Sequence, residues 1–248
     1  MLIVSTSSAT AETPFHGPWL ETWVGADASS SVWLLYSGAT VAPWTTIYDD
    51  GWRLRAAAGY GGYSYTRAPE APGGPRRKFA ATSSYTELLG GYQKRFGEVT
   101  AKAFAGISMI SHDIRPIDTE TIVIGADVGV KGALELWVNL GPNAWVSLDV
   151  AVAQPHQTRS VHARAAYRVT PPLSLGIDVS LNVDGQATIA QRREDAELLD
   201  FGRVGAFASY QWGSGEVSLS AGALGSSLEE AGSLELAPYA NINWLSRF

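Results

Sequence analysis

Tyr239-Ala-Asn-Ile-Asn-Trp-Leu-Ser-Arg-Phe248 ends the sequence. Successive side chains of an extended strand point to opposite faces, so Ala240, Ile242, Trp244 and Phe248 share one face while Asn241, Asn243 and Arg247 share the other. One face suits lipid and the other water. Bacterial outer-membrane barrels commonly finish on such a strand with a terminal aromatic, which the barrel-assembly machinery reads. Trp244 and Phe248 are therefore the candidate assembly signal.

Working back from that strand, two-residue periodicity recurs in about twelve segments of barrel-strand length. They fall near 18–27, 31–42, 51–65, 83–95, 98–111, 126–140, 143–154, 158–169, 172–184, 199–212, 215–225 and 236–248. The links between them alternate in length, as an outer-membrane barrel with short periplasmic turns and long exterior loops requires. Arg95-Phe-Gly97, Gly141-Pro-Asn143, Thr170-Pro171 and Gly213-Ser-Gly215 are short and rich in turn formers. Thr66 to Thr82, His112 to Ile124, Gly185 to Glu197 and Ser226 to Leu234 are long. Ala28 to Ser30 and Gln154 to Gln157 are short on the exterior side and predict a low rim there.

Charge falls on one face of the cleanest strands. Leu173, Leu175, Ile177, Val179, Leu181 and Val183 alternate with Ser174, Asp178, Ser180 and Asn182. Val128, Val130, Leu134, Leu136, Val138 and Leu140 likewise alternate with Asp127, Lys131, Glu135, Trp137 and Asn139. A soluble β-sandwich alternates too, with the apolar runs in its core. Closure-length strands, one-sided loops and aromatic residues near strand ends together favour a single-domain, all-β, up-and-down antiparallel transmembrane barrel of about twelve strands. Those aromatics are Trp19, Trp44, Trp52, Tyr92, Tyr167, Tyr210, Trp212 and Trp244.

Composition agrees. The 248 residues are 46% hydrophobic with Gly 26, Trp 9 and Tyr 10, yet no window holds the roughly 20 continuous apolar residues of a membrane-crossing helix. The lack of cysteine excludes disulfide frameworks, thiolate metal sites and cysteine nucleophiles. A net charge of -6 argues against a nucleic-acid partner. Residues 1–11 read as a leader or the remnant of an export signal, with Leu2-Ile-Val4 as apolar stub and Ser8-Ala9-Thr10-Ala11 as small-x-small cleavage site, leaving 12–248 as the barrel.

Facing assigns the expected lumen lining. It comprises Glu21, Arg53, Arg55, Glu87, Lys102, Lys131, Glu135, Trp137, Trp145, Asp149, His162, Arg164, Arg168, Asp178 and Arg203, with Trp23, Tyr63, Tyr65 and Phe104 adding flat apolar rings. Opposite charges in a confined lumen pair across strands and hold the barrel's shape. Aromatic faces beside polar groups also suit saccharide passage without bond making or breaking. Arg76-Arg-Lys78 and Arg192-Arg193-Glu194-Asp195 are expected as exposed handles for lipopolysaccharide phosphates or for other secretion components, which would make the barrel a docking scaffold.

Several phrases resemble the cellulose biosynthesis protein family BcsS. They are Gly51-Trp-Arg-Leu-Arg55, Gly59-Tyr-Gly-Gly-Tyr-Ser-Tyr65, Leu88-Leu-Gly-Gly-Tyr-Gln93, Pro116-Ile-Asp118, and Lys131 with Glu135-Leu-Trp137, in a likeness spanning 18–248. The resemblance implies an outer-membrane accessory of cellulose secretion, with cellulose or another glucan as cargo, outer-membrane lipid and lipopolysaccharide as surroundings, and no catalytic residues or cofactor. The competing expectation is a phospholipase or acyltransferase using a serine or histidine on the outer face near the membrane boundary. Histidine placement disfavours it: His162 reads as lumenal, His156 lies in a turn, His112 sits beside Asp113 at a loop start, His16 precedes the first strand, and no Gly-x-Ser-x-Gly occurs. His112 with Asp113 and Asp118 lacks metal-ligand spacing, so no metal site is expected.

Overall fold

The computed structural model describes residues 17–67, 77–118, 124–184, 201–226 and 236–248. They form a closed ring of twelve strands in which each pairs antiparallel with its sequence neighbours and the last closes on the first. The strands are β1 (Leu20–Ser29), β2 (Val32–Val41), β3 (Gly51–Arg67), β4 (Arg77–Phe96), β5 (Val99–Arg115), β6 (Gly125–Leu140), β7 (Ala144–Ala153), β8 (Thr158–Arg168), β9 (Leu173–Asp184), β10 (Phe201–Trp212), β11 (Gly215–Ser226) and β12 (Leu236–Arg247). The first and last strands are zipped from Glu21 opposite Arg247 to Ser29 opposite Tyr239. Phe248 extends the seam, with its N–H donating to the Leu20 carbonyl at 2.8 Å. The leader expected over 1–11 lies outside the described residues.

The size of the ring follows from its register. Tracing Cα partners once around the barrel returns to β1 about 14 residues from the start, and with ordinary strand spacing that stagger sets a tilt of about 40° and a backbone radius of about 12 Å. Such a ring leaves an interior that side chains must fill or water must enter.

Pattern becomes architecture through the pleat. Leu175, Ile177 and Val179 on β9, Val128 and Val130 on β6 and Val204 on β10 point outward and are exposed, forming an apolar belt. Edge-to-face aromatic pairs bound it: Trp52 with Tyr92 (5.5 Å) and Trp212 with Trp244 (5.1 Å) at the rim carrying β1's start and β12's end, and Trp33 with Tyr60 (5.6 Å) at the other. We call these the terminal rim and the loop rim. An indole or phenol ring joins an apolar body to a polar tip, which suits a hydrocarbon boundary. Placing a charge in this belt strands it in lipid, so Ile177→Lys should lower unfolding stability in lipid vesicles by about 2–4 kcal/mol, while Asn182→Lys, facing inward, should cost far less. Equal costs would refute the facing.

Inward aromatic rings lie flat against the wall. Trp23 faces Gly38 across the β1–β2 pair, Tyr85 faces Gly59 across β3–β4, and Phe207 faces Gly176 across β9–β10. A Cβ added at Gly38 or Gly59 would fall 2.3 Å from the ring, and one at Gly176 2.7 Å from it. Glycine on the neighbouring strand thus leaves room for each ring beside the backbone, clear of the axis.

Two regions depart from expectation. Strands β3, β4 and β5 continue well past the belt, so residues 66–67, 77–82 and 112–115 of the long links expected over 66–82 and 112–124 are strand, and His112 lies within β5 instead of at a loop start. Above the belt the outward face carries Ser111, Asp113 and Arg115, so apolar alternation fades although the ladder continues. The second is residues 42–50, between β2 and β3 on the terminal rim. Here a folded link stands where a tight turn is the rule. The 185–197 link, all but Ser226 of the 226–234 link, and the Arg192–Asp195 handle lie outside the described residues, as does Arg76.

Candidate functional site

The lumen is lined in three tiers. At the terminal rim, Arg53 and Gln93 point inward from β3 and β4, and the 42–50 link folds beneath them. Arg53, only 1% exposed, donates to the carbonyls of Thr46 (3.1 Å), Asp49 (2.5 Å) and Trp52 (2.8 Å) and to Thr45 Oγ1 (3.2 Å). Gln93 Nε2 donates to the Ile47 and Asp49 carbonyls at 3.1 and 3.0 Å. Outside, Asp50 receives Lys94 Nζ at 2.5 Å and the Arg95 backbone N–H at 2.7 Å. The Lys94 ammonium, then the Arg95 N–H, hold the Asp50 carboxyl below the usual carboxylate range. Because the folded value is depressed, this tie persists at neutral pH and is lost only as pH falls below about 4. Across the same rim Trp137 stacks on Trp145 at 4.1 Å, and Trp145 touches Phe207 at 5.7 Å. The mouth is thus narrowed by a backbone strap on one side and an aromatic cluster on the other.

The middle tier is charged and cross-braced. Arg55 on β3 pairs with Glu135 on β6, Lys131 on β6 with Glu87 on β4, and Arg203 on β10 with Asp27 on β1. Lys102 stands 3.7 Å from Glu135, Arg247 3.2 Å from Glu21, and His162 Nε2 2.7 Å from Asp178 Oδ2. The Arg55 guanidinium also sits 4.0 Å over the Phe104 ring and 5.4 Å from Trp23. These braces join strands that are not neighbours in the ring, β3 with β6, β6 with β4 and β10 with β1. Water reaches the groups: side chains of Asp149, His162, Lys102 and Arg203 are 42%, 31%, 26% and 23% exposed. Arg164 makes no ion pair among the described residues; its guanidinium lies 5.8 Å from the Trp145 ring and 5.5 Å from Phe207. Arg168 is tied at the rim to the Pro142 carbonyl and Asn139 Oδ1.

Above the belt, Tyr63, Tyr65 and Phe79 stack in sequence (6.1 and 5.2 Å) on the inner face of the tall β3–β5 wall, beside Ile114 and Ala81. Tyr65 donates to Asp118 at 2.6 Å, and Tyr63 meets His112 Nδ1 at 3.1 Å. A single 3-10 turn, Pro155–Gln157, brings His156 against this wall.

Of the residues expected to line the lumen, Arg55, Lys102 and Glu135 meet in ion pairs, as do Lys131 and Glu87, His162 and Asp178, and Glu21 with the Arg247 guanidinium, and Trp137 stacks on Trp145. Arg53 is the special case, since it is inward but sealed by the strap. Sequence reasoning missed Asp27, Tyr36, Gln93, Phe207 and Tyr239, which complete the network: Asn241 Nδ2 donates to Tyr36 at 3.2 Å and Tyr239 to Asp178 at 3.3 Å. The shared parity on β1, β2, β4, β10 and β12 was the signal that could have found them. Asp113 points outward to Arg115 at 3.0 Å, away from His112, so His112, Asp113 and Asp118 do not converge. Trp244 and Phe248 both face outward and are exposed.

A closed twelve-strand ring with an apolar outer belt, aromatic girdles and a charged, wetted interior is an outer-membrane-type β-barrel. The chain belongs to the cellulose biosynthesis protein BcsS family, whose model matches residues 22–233. Solved structures of similar fold include the KdgM porin at 10% identity and TM-score 0.52, covering 92% of this chain and 99% of that one. The same porin in complex with disordered oligogalacturonate gives 10% and 0.53, with the same coverage. The transport unit of the autotransporter AIDA-I from Escherichia coli gives 7% and 0.51, covering 98% of this chain and 93% of that one. A search of curated proteins finds no match.

Proposed function

We propose that this barrel is a non-enzymatic, narrow water-filled pore of the bacterial outer membrane that assists cellulose or related exopolysaccharide secretion. The observation that carries the reading is the middle tier, where cross-strand ion pairs brace the wall and their charged groups stay partly exposed. Family membership supplies the link to cellulose. Rings flat against the wall and fixed charges beside them supply apolar faces and hydrogen-bonding partners for a sugar chain. In this orientation the terminal rim faces the periplasm, the tall β3–β5 wall faces outward, and Trp244 with Phe248 serve the assembly machinery. The lipid-enzyme reading loses support because His112, His156 and His162 all sit on the inner side, away from the lipid belt.

Purified barrel in planar bilayers should give small ohmic steps. Arg164→Ala should change cation-to-anion selectivity, because that cation has no paired carboxylate among the described residues. The same variant, expressed in a deletion strain, should alter cellulose yield. Silent bilayers from well-folded protein, together with co-purification of secretion components, would replace the pore by a scaffold.

A further inference from the structure

We propose that His112 and His156 form a transition-metal site that staples the β7–β8 turn to the tall β3–β5 wall at the loop rim. His156 is 3% exposed, and neither ring nitrogen has a hydrogen-bond partner among the described residues. A buried imidazole left so is a group whose partner is a species other than protein. Its nearest ring is His112, at 5.1 Å between centroids. Two imidazoles sharing one tetrahedral ion at ordinary zinc–nitrogen distances have centroids about 5 Å apart. The 5.1 Å spacing is of that size, with the two ring planes at 77° to each other.

The surroundings fit ligation. His112 Nδ1 contacts the Tyr63 hydroxyl at 3.1 Å, and engagement of that nitrogen leaves Nε2 for a metal, in the manner of outer-shell partners that orient ligating histidines. Asp127 Oδ2 accepts the His156 backbone N–H at 3.0 Å and brings a carboxylate to the same corner. The backbone is committed to placing this ring inward: His156 and Gln157 have φ of 49° and 52°, a region that non-glycine residues seldom adopt. Among the described residues no three His, Asp or Glu side chains converge, so the protein supplies two imidazoles and water completes the shell. Two imidazole donors select late first-row ions over magnesium or calcium.

The test uses tag-free, chelator-stripped barrel in detergent, titrated with Zn²⁺ and Ni²⁺ chloride and with Mg²⁺ as control, read by calorimetry and by the shift in thermal unfolding. Wild type should bind one Zn²⁺ or Ni²⁺ and no Mg²⁺. His112→Gln and His156→Asn, the latter chosen because asparagine tolerates positive φ, should each weaken binding at least tenfold. His162→Gln should bind as wild type does. Heat-modifiable gel mobility establishes that each variant is folded, and either of the first two variants alone suffices. Absence of Zn²⁺ and Ni²⁺ binding, binding unchanged in folded His112→Gln or His156→Asn, or loss confined to His162→Gln overturns the proposal.

Discussion

Replacing Arg53 by methionine should raise single-channel conductance severalfold and expose the 43–49 segment to protease. Arg53 donates to three backbone carbonyls and a threonine hydroxyl, and no other inward cation reaches that segment among the described residues. Each hydrogen bond from a charged donor contributes about 1.5–3 kcal/mol, and the acceptors cannot all be satisfied by Gln93 alone. The link is therefore expected to swing toward bulk water, where its carbonyls are solvated, and to vacate the terminal mouth. Gln93→Ala, which removes two bonds, should act in the same direction with a smaller effect. Asp50 and Lys94 hold only the outer edge, so Asp50→Asn should leave conductance nearly unchanged at neutral pH. Equal conductance and equal protease resistance in wild type and Arg53→Met would show that the strap is anchored by its ends and does not govern the mouth.

What the sequence disclosed and what it hid divide along one physical line. Strand alternation is imposed by two solvents, so wherever a strand runs between lipid and a polar lumen its facing can be read, as in β6 and β9. Above the belt both faces of a strand meet water or protein, and the period weakens. That is why the reach of β3 to Arg67 and of β5 to Arg115 reads as loop from the sequence. The strap escaped for another reason: its inner hold on the barrel is backbone carbonyls gripped by Arg53 and Gln93, and carbonyls have no sequence signature. The fit of each inward ring against a cross-strand glycine depends on register, which a single sequence does not print. His112 and His156 are likewise joined only through the ring closure that stacks β5, β6 and β7 side by side.

Glu135→Ala should destabilise the barrel by about 3–5 kcal/mol, measured by denaturant unfolding into lipid vesicles, because it leaves two inward cations without their carboxylate. Glu135 accepts from Arg55 across three strands and stands 3.7 Å from Lys102 on the adjacent one. Its removal strands Arg55 against Phe104 and Trp23, where the rings offer partial compensation through their faces. Pairing at this depth is a constraint on shape more than a source of net stability, so the double variant Arg55→Met, Glu135→Met should recover much of the loss. Recovery would come with a functional signature: without the chord from β3 to β6 the wall is free to ovalise, and conductance steps should become noisy and heterogeneous while unfolding stability stays near wild type. A double variant as unstable as the single would mean that the brace contributes stability in its own right. Uniform, unaltered steps would mean that hydrogen bonding around the ring alone fixes the width of the lumen.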